Sequence, residues 1–115
     1  MSTTTMTTKQ SFDEPDTTMD MMEKIRLDTV DVDGVKLTRV TADSGWRWSV
    51  NSKPVQHTDS CQVDHLFYMV SGQVGTRDND GHQTEYAAGD LAHIVPGHDG
   101  WTIGDEPAVW IEIPH

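Results

Sequence analysis

One thiol and two imidazoles carry the chemistry open to this chain. Cys61 is the single cysteine, His65 stands four residues on, and His98 follows a Pro96-Gly97 turn. A thiolate and two neutral imidazoles suit Zn²⁺, with a fourth position left for water. The same set suits iron or nickel. Asp59 is a fourth candidate ligand, on the face of Cys61 if that stretch is extended. Each residue also has a plainer role open to it. Cys61 could be a small buried side chain, and Asp59 could cap a turn. His65 could be hydrogen-bonded inside a polar pocket, and His98 could face solvent from its turn. His93, between Ala92 and Ile94, reads as a packed or surface histidine, while His57, His82 and His115 fall in loops or at the end. No nucleophile has a base at readable spacing, and there is no phosphate loop or Cys-x-x-Cys motif.

The elements that must position these groups read as strands. Val35 to Val40 alternates between two faces, and so does Trp46 to Val50, which puts Trp46 and Trp48 on one side. Leu66 to Val70 is a compact apolar run, and Ser71-Gly72 can turn it into Gln73 to Arg77 as a hairpin. Asp78 to Gly81 is a strong turn. Gln83 to Tyr86, Leu91 to Val95, Trp101 to Ile103 and Ala108 to Ile113 complete the set. About eight short strands with turns every 8 to 12 residues or so suit a sandwich or barrel. No long segment shows a helical period, and there is no internal repeat.

Residues 1–22 are rich in Thr and acidic groups and poor in large apolar ones. They are expected to form a disordered tail ahead of a single domain over 23–115. Such a domain has a thin core and would gain from pairing with a second copy, so a homodimer is expected. With 19 acidic and 8 basic residues, the net charge is −11. That argues against a nucleic-acid or anionic-membrane partner. The acidic balance suits either a halophilic protein from a high-salt cytoplasm or an ordinary acidic one. A lone cysteine, no transmembrane-length apolar run and no secretory leader suggest a cytoplasmic protein.

Residues 45–113 resemble the cupin superfamily. The family's first segment runs His-x-His, three or four residues, Glu, six residues, Gly. Its second runs Gly, five residues, Pro-x-Gly, two residues, His. Gly72 takes the closing glycine of the first segment, which puts His65 where the family has its glutamate. The two histidine places fall on Asp59 and Cys61, or with the longer gap on Thr58 and Ser60. In the second segment Gly89 and Gly97 keep their separation, while the proline place is Val95 and the histidine place is Gly100, not His98. A variant group of small cupins has the closer wording at residues 59–62, His65 and 96–101. The resemblance implies an all-β fold, a double-stranded β-helix or jelly-roll barrel, with the face of His65, Phe67 and Met69 turned inward and Tyr68 outside.

The expected function is then a small cupin domain holding a divalent metal (Zn, Fe or Ni) through His65, His98, Cys61 and Asp59. A small-molecule ligand would lie in a cavity lined by Trp46, Trp48, Phe67, Met69 and Trp101, while Trp110 packs in the core. Arg47 could reach a ligand carboxylate, though a surface role suits it better. The alternatives are a metal-free sensor or binding module, and a structural homodimer without catalysis.

Overall fold

The computed structural model describes residues 6–115. Among the described residues, nine strands form two antiparallel sheets. The larger has the order β1 (Thr17–Met19), β2 (Ile25–Val32), β3 (Val35–Ala42), β9 (Ala108–Glu112), β4 (His65–Ser71) and β7 (Leu91–Ile94). The smaller has β6 (Gln83–Ala87), β5 (Gln73–Asp78) and β8 (His98–Ile103). The ladder does not close into one barrel. Isolated bridges at Arg47–Trp101 and Cys61–His98 tie the linking segment to β8.

Turn chemistry sets the registers. Asp33 and Gly34 both have positive φ, at 53° and 87°, the pairing that a two-residue hairpin turn with native twist demands. Val32 therefore pairs with Val35, and the register runs back to Ile25 opposite Ala42. Alternation then sends Leu27, Val40, Trp110 and Met69 to one face, in a row across four strands of the larger sheet. Val40, Phe67, Met69, Val74, Ala108 and Trp110 are buried together, so the smaller sheet closes over the larger through Val74. Tyr86 adds an edge-on contact to Phe67 with ring centroids 5.2 Å apart.

Four expectations change. The strand expected over Trp46 to Val50 is instead a bridge at Arg47 and a π-helical turn, Trp48–Ser52, leading into a short helix α1 (Lys53–Gln56). Polar capping overrides the alternation here. Asn51 Oδ1 accepts from the Arg47 amide at 2.9 Å, and Asp99 accepts from the Ser49 amide at 3.0 Å and its hydroxyl at 2.8 Å. Pro54 near the start of α1 favours the helical turn. Trp46 and Trp48 nonetheless both end up buried.

Ser71-Gly72 does not make a hairpin. β4 and β5 lie in different sheets, and the chain crosses between them where Gly72, at φ +69°, presses against Pro107. A Cβ there would come within 2.2 Å of the Pro107 carbonyl oxygen, so only glycine permits the crossing. The strand expected from Trp101 starts at His98, three residues earlier.

The lead-in also departs from the expected tail. Thr17–Met19 pairs with Leu27 to Thr29, and Met22 is part of the core. The anchor is polar. Asp28, 1% exposed, accepts from Thr18 Oγ1 and Arg26 Nε at 2.9 Å each and from Arg39 at 3.1 Å. Arg39 reaches on to the Phe12 carbonyl and to Asp13. Residues 1–5 of the expected tail lie outside the described residues. No helix among the described residues is long and apolar enough to cross a membrane.

Candidate metal centre

Cys61, His65 and His98 come together. Their ligand atoms all lie within 4.8 Å of one another. Backbone pairing clasps two of them: the Cys61 amide donates to the His98 carbonyl at 2.8 Å, and the Gly97 amide donates to the Cys61 carbonyl at 2.7 Å. The turn needs Gly97, whose φ is +96°. His98 is thus not a solvent-facing turn residue. It is the first residue of β8 and 5% exposed, on the inward alternation of His98, Gly100 and Thr102. His65 opens β4 on the inward alternation with Phe67 and Met69.

Each imidazole is oriented from behind. His98 Nδ1 donates to the Val95 carbonyl at 2.9 Å, leaving Nε2 to face the group. His65 Nδ1 donates to Glu112 Oε1, and its Nε2 lies 3.6 Å from Cys61 Sγ. The two rings meet edge to face with centroids 5.1 Å apart. Glu112 was missed in the sequence. The signal was there, since Ala108, Trp110 and Glu112 alternate onto the inward face of β9. Its other oxygen, Oε2, is buried with no hydrogen-bond partner.

Burial by itself would raise the Cys61 thiol, but hydrogen bonds from His65 and His98 outweigh it and bring the pKa from 9.0 to about 6. Burial likewise opposes the His65 imidazolium, yet Cys61 and Glu112 together carry it from 6.5 to about 9. A low-pKa thiol between two imidazoles is a ready metal ligand.

The site forms the polar end of an apolar cavity of about 180 Å³. Trp46, Trp48, Phe67 and Trp110 line it. Met69 does not; it is fully buried in the core beside it. Trp101 lies outside, because β8 alternation turns it away and its indole covers Gly75 beneath the Arg47 guanidinium, 4.7 Å from the ring centre. Arg47 accordingly stacks on the surface and pairs with Asp99. Asp59 is exposed and does not join the three ligands, because residues 58–60 bend rather than extend. Gly100, the histidine place of the cupin pattern, is buried, and Trp46 carbons lie 3.5–3.6 Å from where its Cβ would stand.

No family model matches the chain, and no curated protein matches it. Solved structures do. A protein of unknown function from Acidithiobacillus ferrooxidans aligns over 87% of this chain and 88% of its own, with a TM-score of 0.64 and 14% identity. One from Acinetobacter aligns over 86% and 93%, with a TM-score of 0.58 and 14% identity. Oxalate decarboxylase from Bacillus subtilis, a protein with Mn(II) centres, aligns over 80% of this chain at 26% identity and a TM-score of 0.54. This chain spans 25% of that enzyme's length. Oxalate decarboxylase is itself a cupin, and with these likenesses the fold of the chain is a cupin-type jelly roll.

Proposed function

We propose that this cupin-type domain holds one divalent metal through Cys61 Sγ, His65 Nε2 and His98 Nε2, and binds a small, largely apolar molecule beside it. The observation that carries the reading is the donor geometry. Zn–S and Zn–N bonds of about 2.3 and 2.05 Å at a tetrahedral angle put the two ligand atoms about 3.6 Å apart. The Cys61–His65 separation is 3.6 Å. Charge supports it as well: the Cys61 thiolate and the Glu112 carboxylate together balance a doubly charged ion, with both imidazoles neutral. A carboxylate behind a ligating histidine is the usual support for such a ligand. The bound ion would supply Lewis acidity at its open position.

The chain's own residues set what could enter. The cavity of about 180 Å³ is comparable with engineered cavities of ~150 Å³ that admit benzene. Trp46, Trp48, Phe67 and Trp110 give it aromatic walls, with Ser52, Gln56 and Thr76 as the uncharged polar groups. Among the described residues lining it there is no Arg or Lys, and Glu112 adds negative charge. A dicarboxylate of the oxalate type would therefore find no Arg or Lys to pair with the carboxylate that the ion does not hold. A ring-sized molecule with one metal-binding atom fits better.

The Cys61–His65 contact also favours a second reading. It is a complete hydrogen bond by itself, so a metal-free binding module could hold a thiolate–imidazolium pair in the same place. Metal analysis of protein purified without an affinity tag separates the two. One equivalent of metal, lost in His65→Ala, His98→Ala protein, supports the first. Cobalt loading should add a thiolate-to-metal charge-transfer band that Cys61→Ser removes. Metal-free protein that neither gains this band nor changes in stability with zinc, iron or nickel would sink it.

A further inference from the structure

A second convergence of donors lies on the outer surface, apart from the cavity. Asp64 precedes β4, His93 lies in the edge strand β7, and His115 follows β9. Three separate segments thus bring an Asp and two His side chains together, with one ligand atom from each within 4.8 Å of the others. Both Nε2 atoms approach the same Asp64 oxygen, His93 at 2.7 Å and His115 at 2.6 Å. The rings stand edge to face with centroids 5.7 Å apart. His115 is oriented from behind, since its Nδ1 donates to the Ile113 carbonyl at 3.2 Å. That contact aims Nε2 at Asp64, so an ion entering between them would take the place of the Nε2 proton while Nδ1 stays held from behind, as in a ligating imidazole.

We propose that Asp64, His93 and His115 form a second divalent-metal site, which takes Zn²⁺ through two imidazole nitrogens and one carboxylate oxygen. Two imidazoles select a borderline metal such as Zn²⁺, Ni²⁺ or Cu²⁺ over Mg²⁺ or Ca²⁺, which favour oxygen cages. The side chains are 38–51% exposed, so the remaining coordination positions open to water. The net charge of −11 concentrates cations around this surface. A bound ion would staple the segment after β9 to the edge strand β7 and to the residue next to His65. The site stands independently of the cavity site, because none of its three ligands is shared.

The test is zinc titration of the full, tag-free chain by calorimetry, with histidine ring signals followed by NMR. His93→Gln, His115→Gln protein should lose one zinc equivalent, and Cys61→Ser, His98→Gln protein should keep it. Losing one ligand should weaken binding by more than the ~10-fold typical of an outer-shell change. Unchanged zinc binding in the His93→Gln, His115→Gln protein would overturn the site. So would a wild-type surface affinity on the order of 1 mM or weaker, which marks an adventitious ion. Should the cavity variant fail to fold, zinc-induced shifts of the His93 and His115 rings in the wild type decide the matter, and their absence overturns the proposal.

Discussion

Glu112 gives the sharpest handle on the cavity site. Its Oε1 accepts from His65 Nδ1, and its Oε2 is buried without a partner. In a metal-bound site the carboxylate would hold the ring in one tautomer and strengthen Nε2 as a ligand. Glu112→Gln keeps the side-chain shape, and its amide oxygen can still accept from Nδ1, but the charge is gone. Removing such a support costs 10- to 100-fold in metal affinity, or about 1.4 to 2.7 kcal/mol. The loss should fall toward the upper end, because the contact is a charge-assisted hydrogen bond in a site only 19–23% exposed.

Metal-free stability should move differently. The substitution leaves the His65 imidazolium, which Cys61 and Glu112 together carry from 6.5 to about 9, with Cys61 alone, so the metal-free variant should lose stability, fully below about pH 6.5 and fading as pH rises through about 9. The assay pairs zinc affinity, by competition with a chromophoric chelator, with urea unfolding of the metal-free protein. Weaker zinc binding is expected, together with a loss of metal-free stability that fades as pH rises through about 9. Zinc affinity within twofold of wild type in a folded Glu112→Gln protein would refute the supporting role of Glu112. A loss of metal-free stability with zinc affinity unchanged would make Glu112 merely structural.

Asp28→Asn should destabilise the protein by about 2 to 3 kcal/mol, since it removes the buried charge that pairs Arg26 and Arg39 and sets an amide NH2 against one of their donors in place of an accepting oxygen. Burial raises the Asp28 pKa, but the hydrogen bonds from Arg26, Arg39 and Thr18 outweigh it and hold it below the ordinary 3.8. Its contribution is therefore present above pH 3.8 and lost as pH falls through the lower folded value. Unfolding curves of wild type and variant should converge only in that acid window; a gap that closes at neutral pH refutes the assignment. Gly75→Ala would put a Cβ 2.7–2.8 Å from the Trp101 indole and should cost about 1 to 3 kcal/mol. Metal loading should survive it, because Trp101 lies outside the cavity, so loss of metal in a folded Gly75→Ala protein would contradict that placement. Deleting residues 1–22 should destabilise more than deleting 1–10, since only the longer cut removes Met22 and the Thr18–Asp28 bond. Equal unfolding midpoints for the two truncations would show that this segment contributes nothing.

Much of the fold was legible because alternation and turn residues act locally. The shared face of His65, Phe67 and Met69 could be read from alternation, with the cupin resemblance turning it inward, and the turns at Asp78 to Gly81 and Gly97 could be read from their residues. What escaped depended on partners distant in sequence. Asp99 bends Ser49 out of the strand that its own alternation suggested, across 50 residues. Gly72 was read as a hairpin turn because the Pro107 carbonyl that it packs against cannot be seen from its neighbours.

The shifted histidine shows how the site itself was half legible. Counting against the cupin pattern placed the second-segment histidine on Gly100 and left His98 two residues out of place. A displacement of one residue would have turned the imidazole to the opposite face of β8, but a displacement of two keeps it on the same face, one step along the strand. The structure has His98 and Gly100 both buried on that face. At Gly100 the absent side chain gives room to Trp46, whose indole is held by a hydrogen bond to Ser52 at 3.1 Å. A Cβ at position 100 would stand at ordinary contact distance from that ring, so the imidazole of a histidine placed there would compete with Trp46 for the space beyond it. Gly100→His alone should therefore destabilise the protein, and Trp46→Ala should relieve part of the cost. Double-mutant unfolding energies measure the coupling, and strictly additive losses would show that the two positions do not compete for the same space.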